Sequence, residues 1–114
     1  MKIGSLSVDP PLLLAPMAGI SNLPFRLLNR EYGCALAFTE MISAAGLVRD
    51  TRKTRRYLDT APGDRPLGVQ LFGSEPAVLA EAAAIATAAG ADLIDLNMGC
   101  PVRKVVRTGA GAAL

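Results

Sequence analysis

The sequence predicts a parallel α/β fold, and three observations carry that expectation. Four short apolar runs, Leu12–Ala15, Ala35–Phe38, Leu67–Phe72 and Leu93–Leu96, are bounded by turn residues, the pattern of strands buried on both faces. Helical signals stand between them. Strand and helix alternate with a period of about 30 residues, the size of one strand–helix unit. Alternation alone leaves open whether the sheet is doubly wound or closed into a barrel.

The elements read in order as follows. Lys2–Ile3 and Leu6–Val8 flank Gly4-Ser5 and suggest a small hairpin, a plug for the bottom of a barrel. After the first run, Ser21-Asn22 offers a helix cap and Pro24 sits in the first turn. Leu23, Leu27, Leu28 and Tyr32 share one face of that helix, expected to be the buried one, and Gly33 stops it. Ser43–Leu58 joins a small-residue stretch to the charged run Arg49–Arg56, which reads as a solvated helix face or as a nucleic-acid contact. Ser74 is the expected cap of the next helix, with Glu75 and Pro76 in its first turn. Val78, Ala82, Ile85 and Ala89 would form its buried stripe, ended by Gly90. Thr108–Leu114 reads as the start of a helix with no stop signal, and its Gly109 and Gly111 as helix-packing residues. A chain ending there is expected to be a truncated reading frame or a fragment.

Composition narrows the function. With 114 residues, 51% hydrophobic and 19% charged, the chain has material for one small folded domain and is not disordered. A net charge of +2 permits a nucleic-acid partner without arguing for one. There is no histidine, which excludes Ser-His-Asp and Cys-His catalysis and His-ligated zinc within these residues. Cys34 and Cys100 form no C-x-x-C pair and read as reduced thiols, Cys34 as a small core residue. The N-terminus lacks a signal-peptide core, and no apolar run approaches the roughly 20 residues of a membrane span. A soluble cytoplasmic protein, with no membrane partner and no metal, is expected.

In parallel α/β folds the chemistry gathers where strands end. Those positions hold Ala15-Pro16-Met17-Ala18-Gly19, then Thr39-Glu40-Met41, then Gln70 within the third strand, then Asn97-Met98-Gly99-Cys100-Pro101. Small residues allow a flat ligand to approach the backbone, although the first segment also fits an ordinary strand–helix turn. Gln70 and Asn97 suit an amide-like ring edge; equally, Gln70 could cap a strand end. The Gly-Cys-Pro turn either displays a thiol able to donate a proton or buries a structural cysteine in an Asn turn. Glu40 reads as a partner for backbone amides near its loop.

Taken together and in order, these segments resemble the tRNA-dihydrouridine synthases. The matching pieces are Leu14–Gly19 with Leu23-Pro24-Phe25-Arg26, Thr39–Met41, Val69–Gly73 and Asp95–Pro101, continuing through Lys104-Val105-Val106 to Gly109–Leu114. The variant Asn-Met-Gly-Cys-Pro-Val with Lys-Val-Val is most similar to the bacterial B-type branch. The resemblance implies a (β/α)8 TIM barrel that binds FMN, followed by a helical domain that grips tRNA. Residues 1–114 would be the N-terminal half of that barrel, truncated before it closes, and expected to be inactive alone. Pro16, Met17 and Ala18 would line the flavin through backbone contacts, Gln70 would bond its ring, and Asn97 would hold the uracil. Cys100 would be the catalytic acid, and Lys104 would support its loop or contact RNA. Hydride would pass from reduced FMN to C6 of uracil and a proton from Cys100 to C5, with NADPH or NADH as reductant. The full-length form is expected to be a monomer. Two other readings stand beside this one: a flavin barrel acting on free pyrimidines, which would lack the joint motifs, and a non-catalytic truncated remnant.

Overall fold

The computed structural model describes the whole chain, Met1–Leu114, as seven strands and five α-helices. Its centre is β6 (Leu67–Phe72), buried along almost its whole length. β4 (Leu36–Phe38) pairs with β6 on one edge and β7 (Leu93–Leu96) on the other, both parallel. β3 (Leu13–Leu14) adds in parallel outside β4, so the four predicted runs lie in sequence order across one sheet. The predicted strands hold at β6 and β7 to the residue, and lose only end residues at β3 and β4. Burial on both faces holds for β4 and β6 but not for the outer β3 and β7, each of which pairs on one side only.

The second strand is interrupted. β4 resumes as β5 (Ile42–Ser43) on the same edge of β6. Phe38 pairs with Gly68 and Ile42 with Leu71, so four steps along one strand answer three along the other. That single extra residue is a bulge at Thr39–Met41, a device that redirects side chains where a strand ends.

Alternation along the strands sends side chains to two faces. Leu67, Val69 and Leu71 join Ile42, Ala44 and Leu47 and the helix α4 (Pro76–Ala88), whose Ala82 and Ala86 are fully buried. Full burial of each such leucine or valine contributes about 1.5–3 kcal/mol. The opposite face carries Leu36 and Phe38 with Val8, against which Ile3, Leu6 and Leu93 pack. The predicted hairpin, β1 (Lys2–Ile3) with β2 (Leu6–Ser7), therefore covers the N-terminal end of this face. No helix is long and apolar enough to cross a membrane.

Several local expectations are corrected. Helix α1 (Leu23–Glu31) is capped by Asn22, while Ser21 turns inward to the preceding loop. Its buried residue is Arg26, whereas Leu28 and Tyr32 are 50% and 82% exposed. Leu23 and Leu27 of the expected stripe are half-buried, and between them Arg26 is buried in an ion pair with Asp64. Ser74 does not cap α4; its hydroxyl donates to the Thr108 carbonyl, and Glu75 holds the cap position without a side-chain bond. In α4, Ala86 takes the buried place expected of Ala89. Ser43–Leu58 forms two short helices, α2 (Ala44–Val48) and α3 (Arg52–Arg55), capped by Ser43 and Thr51. Thr108–Leu114 contains one 3-10 turn, Gly111–Ala113, after the short helix α5 (Arg103–Val106). Cys34 is only half-buried, its thiol on the Leu36 carbonyl.

Candidate functional site at the strand ends

The sheet face opposite α4 changes character along its length. Apolar Leu36 and Leu93 stand at its start, and the Phe38 ring packs against Gly68. A Cβ on Gly68 would fall 2.4 Å from the Phe38 ring, so only glycine admits that packing. Beyond this floor the same face becomes polar, with Gln70, Asp95 and then Asn97 at alternate positions of paired strands.

Those three side chains form one network. Gln70, 8% exposed, donates through Nε2 to Asp95 Oδ2 at 2.6 Å and accepts from Asn97 Nδ2 at 3.0 Å. Asn97 Oδ1 in turn receives the amides of Gly99 at 3.2 Å and Cys100 at 2.9 Å. This is an Asn turn that shapes the Gly-Cys-Pro loop, with the Cys100 thiol half-buried and free of hydrogen bonds. Behind the loop sits Gly111, at φ +62°, where a Cβ would meet the Cys100 carbonyl oxygen at 2.6 Å. Gly111 thus packs between the cysteine turn and Val105 of α5, as expected of a helix-packing glycine.

The loop after β3 is the second half of the site. Ser21 Oγ accepts from the Met17 amide at 2.9 Å and donates to its carbonyl at 3.1 Å. With Ile20 and Ser21 amides also on that carbonyl, the Met17 main chain is engaged within the turn. The Ala18 amide and the Pro16 carbonyl have no partner, and Ala18 is exposed. The bulge joins the two halves. Glu40 Oε1 accepts from the Gly19 amide, as expected of that carboxylate. Thr39 Oγ1 donates to the Glu40 carbonyl at 2.8 Å and accepts the Gln70 amide at 3.3 Å, replacing a ladder bond the bulge removes.

Five polar or charged side chains are buried, Ser21, Arg26, Thr39, Asp64 and Gln70, and all five serve this rim. Arg26 is held by Asp64 and donates to the Ser21 carbonyl at 2.8 Å, tying the ion pair to the Met17 turn. Sequence reasoning singled out Gln70, Asn97, Cys100 and the Pro16–Ala18 loop, and the fold brings them to one rim. It missed Asp95 and the Arg26–Asp64 pair. Asp95 carried a signal, being two residues before Asn97 on a strand; Asp64, in a turn, carried none.

A parallel sheet with a bulged second strand, a small-residue loop and an Asn-shaped cysteine turn on one rim defines a class of protein. Residues 13–114 match the family model described as dihydrouridine synthase (Dus), and the chain belongs to that family. Over 114 residues it is 46% identical to tRNA-dihydrouridine synthase B of Xanthomonas axonopodis pv. citri, covering 100% of this chain and 34% of that protein. It is 42% identical over 114 residues to tRNA-dihydrouridine synthase B of Pseudomonas aeruginosa, again 100% of this chain and 34% of the relative. A probable tRNA-dihydrouridine synthase of Treponema pallidum is 42% identical over 115 residues, with the same shares. The chain spans about a third of the length of the curated relatives it matches.

Proposed function

We propose that these residues supply the first four strand units of the FMN-binding barrel of a tRNA-dihydrouridine synthase, working in the cytoplasm. The observation that carries this reading is the bond from the Cys100 amide to Asn97, itself bonded to Gln70, which sets an unbonded thiol beside two amide side chains. The residues present fit a flavin ring. The Ala18 amide is free, Ala18 and Gly19 are small, and Gln70 keeps an N–H and a lone pair beyond its present bonds. Pro16, Met17 and Ala18 would pack against the ring, with Gln70 on its polar edge.

FMN held by these residues would supply hydride chemistry toward C6 of a uracil, with NADPH or NADH as the source of electrons. The chain's own residues do the rest. Asn97 orients the uracil through its amide edge. The thiol of Cys100 donates its proton to C5, which becomes basic once C6 has gained hydride. The cysteine turn, held by Asn97 in front and Gly111 behind, keeps that thiol in place during transfer. The target base must leave its stack to reach the rim, at a cost of a few kcal/mol that contacts to the tRNA offset.

The test is Cys100→Ala in the native chain that carries these residues. Turnover of uridine in a tRNA transcript should drop by at least about 100-fold, the scale of general-acid catalysis, with flavin still bound. Unchanged turnover would remove Cys100 from the mechanism. Failure of any tRNA uridine to be reduced by the unaltered protein, with reduction of free pyrimidines instead, would move it to another class of flavin barrel.

A further inference from the structure

Of the 12 Lys and Arg residues, Arg26, Arg30, Arg55 and Arg65 are held in ion pairs. Seven of the remaining eight fall on two short stretches, 49–56 and 103–107, far apart in sequence. The fold brings these stretches to a single cleft of about 590 Å³ at the C-terminal ends of the strands. Lys53, Thr54 and Tyr57 line it from the first stretch and its continuation, Lys104 and Thr108 from the second, and Phe72 ends β6 between them. No carboxylate lines it.

Both lysines are exposed and without an acidic partner. Two like charges on one cleft disfavour each other and are relieved by an anion between them. Lysine serves phosphate well as a compact charge, and the arginines on both stretches extend the same positive field. The cleft's place decides which phosphate. Ala18 and Met41 of the rim also line the cleft, as does buried Val105, which shares Gly111 with the cysteine turn, so the cleft opens beside the rim. Tyr57, half-buried against the core, fixes one wall of the cleft.

We infer that Lys53 and Lys104 grip a backbone phosphate of the RNA strand next to the nucleotide whose base enters the rim. This rests on the reading of the rim as a uridine-reducing site, but its test reads binding and not turnover. In the native chain, affinity for a tRNA transcript is measured across salt concentrations for Lys53→Ala, Lys104→Ala and, as a distant control, Lys2→Ala. Each cleft variant should bind several-fold more weakly and lower the slope of log affinity against log salt by about 0.7–0.9. The loss should be equal for a scrambled RNA of the same length, because phosphates carry no sequence. Lys53→Arg should retain binding, and Lys2→Ala should change nothing. Unaltered affinity and slope in both alanine variants would overturn the proposal, as would a loss confined to the unscrambled RNA. If the cleft variants lose RNA while the unaltered protein reduces no uridine, the cleft stands and the reaction assignment falls. If uridine is reduced and both variants bind as the unaltered protein does, the cleft alone fails.

Discussion

Asp64 Oδ2 receives both Nε and Nη2 of Arg26, at 2.9 and 2.7 Å, with neither side chain more than 2% exposed. Arg26 passes this constraint to the Ser21 carbonyl and, through Nη2, to the Asp59 carbonyl at 2.8 Å. The loop that presents Ala18 is therefore built on a buried charge pair. Asp64→Ala leaves Arg26 buried without its counter-charge and should cost about 3–5 kcal/mol. Urea denaturation measures that loss, and flavin titration should show weaker binding as the Met17 turn loosens. A loss under about 1 kcal/mol would mean that water reaches the pair.

Asn97→Ala removes the acceptor of the Cys100 amide and the donor to Gln70 together. The stability cost should be modest, about 1–3 kcal/mol, and the loss of turnover larger, because the thiol is no longer fixed. Asn97→Asp keeps an acceptor for the Cys100 amide but loses the donor to Gln70. Steady-state kinetics of the pair should therefore rank Asp above Ala in kcat. Equal kcat would separate the turn from catalysis.

Gly111→Ala places a Cβ 2.6 Å from a main-chain carbonyl and 2.9 Å from Val105 Cγ1, in a left-handed conformation. Neither neighbour is the free end of a long side chain, so the Cys100 turn must shift. A cost of about 1–3 kcal/mol is expected from strain and overpacking. Thermal denaturation reads the cost, and reaction of Cys100 with a thiol reagent should change in rate as the turn moves. An unchanged rate would show that the turn absorbs the methyl elsewhere.

Gly68→Ala drives a methyl into the Phe38 ring and should destabilise by about 1–3 kcal/mol. Phe38→Leu should rescue part of that loss in the double variant. A double-mutant cycle with a coupling energy near zero would show that the two sites are independent.

Much of this was legible in the amino-acid order. Leu67–Phe72 and Leu93–Leu96 are apolar runs between turn residues, and local pattern suffices for such strands. Gln70 within its strand, and Asn97 and Cys100 past the end of theirs, followed from the bounds of the apolar runs, and the fold brings them together. The burial of Arg26 on α1 was not legible, because the leucines formed the better stripe while its partner, Asp64, lies 38 residues on from Arg26. Hydrophobic periodicity carries no record of such a distant charge.

The sequence by itself determined the order of the four main strands and the helices after the first and third, the parallel sheet and the residue types offered to its rim, since these depend on near neighbours and on period. Only the tertiary structure decided which of those groups bond to one another. The bulge at Thr39–Met41, the Gln70 bridge between Asp95 and Asn97, and the cleft lined by both Lys53 and Lys104 all join residues from different strand units. Such contacts exist only once the chain has closed long loops, and the free energy that selects them comes from burial across the whole sheet.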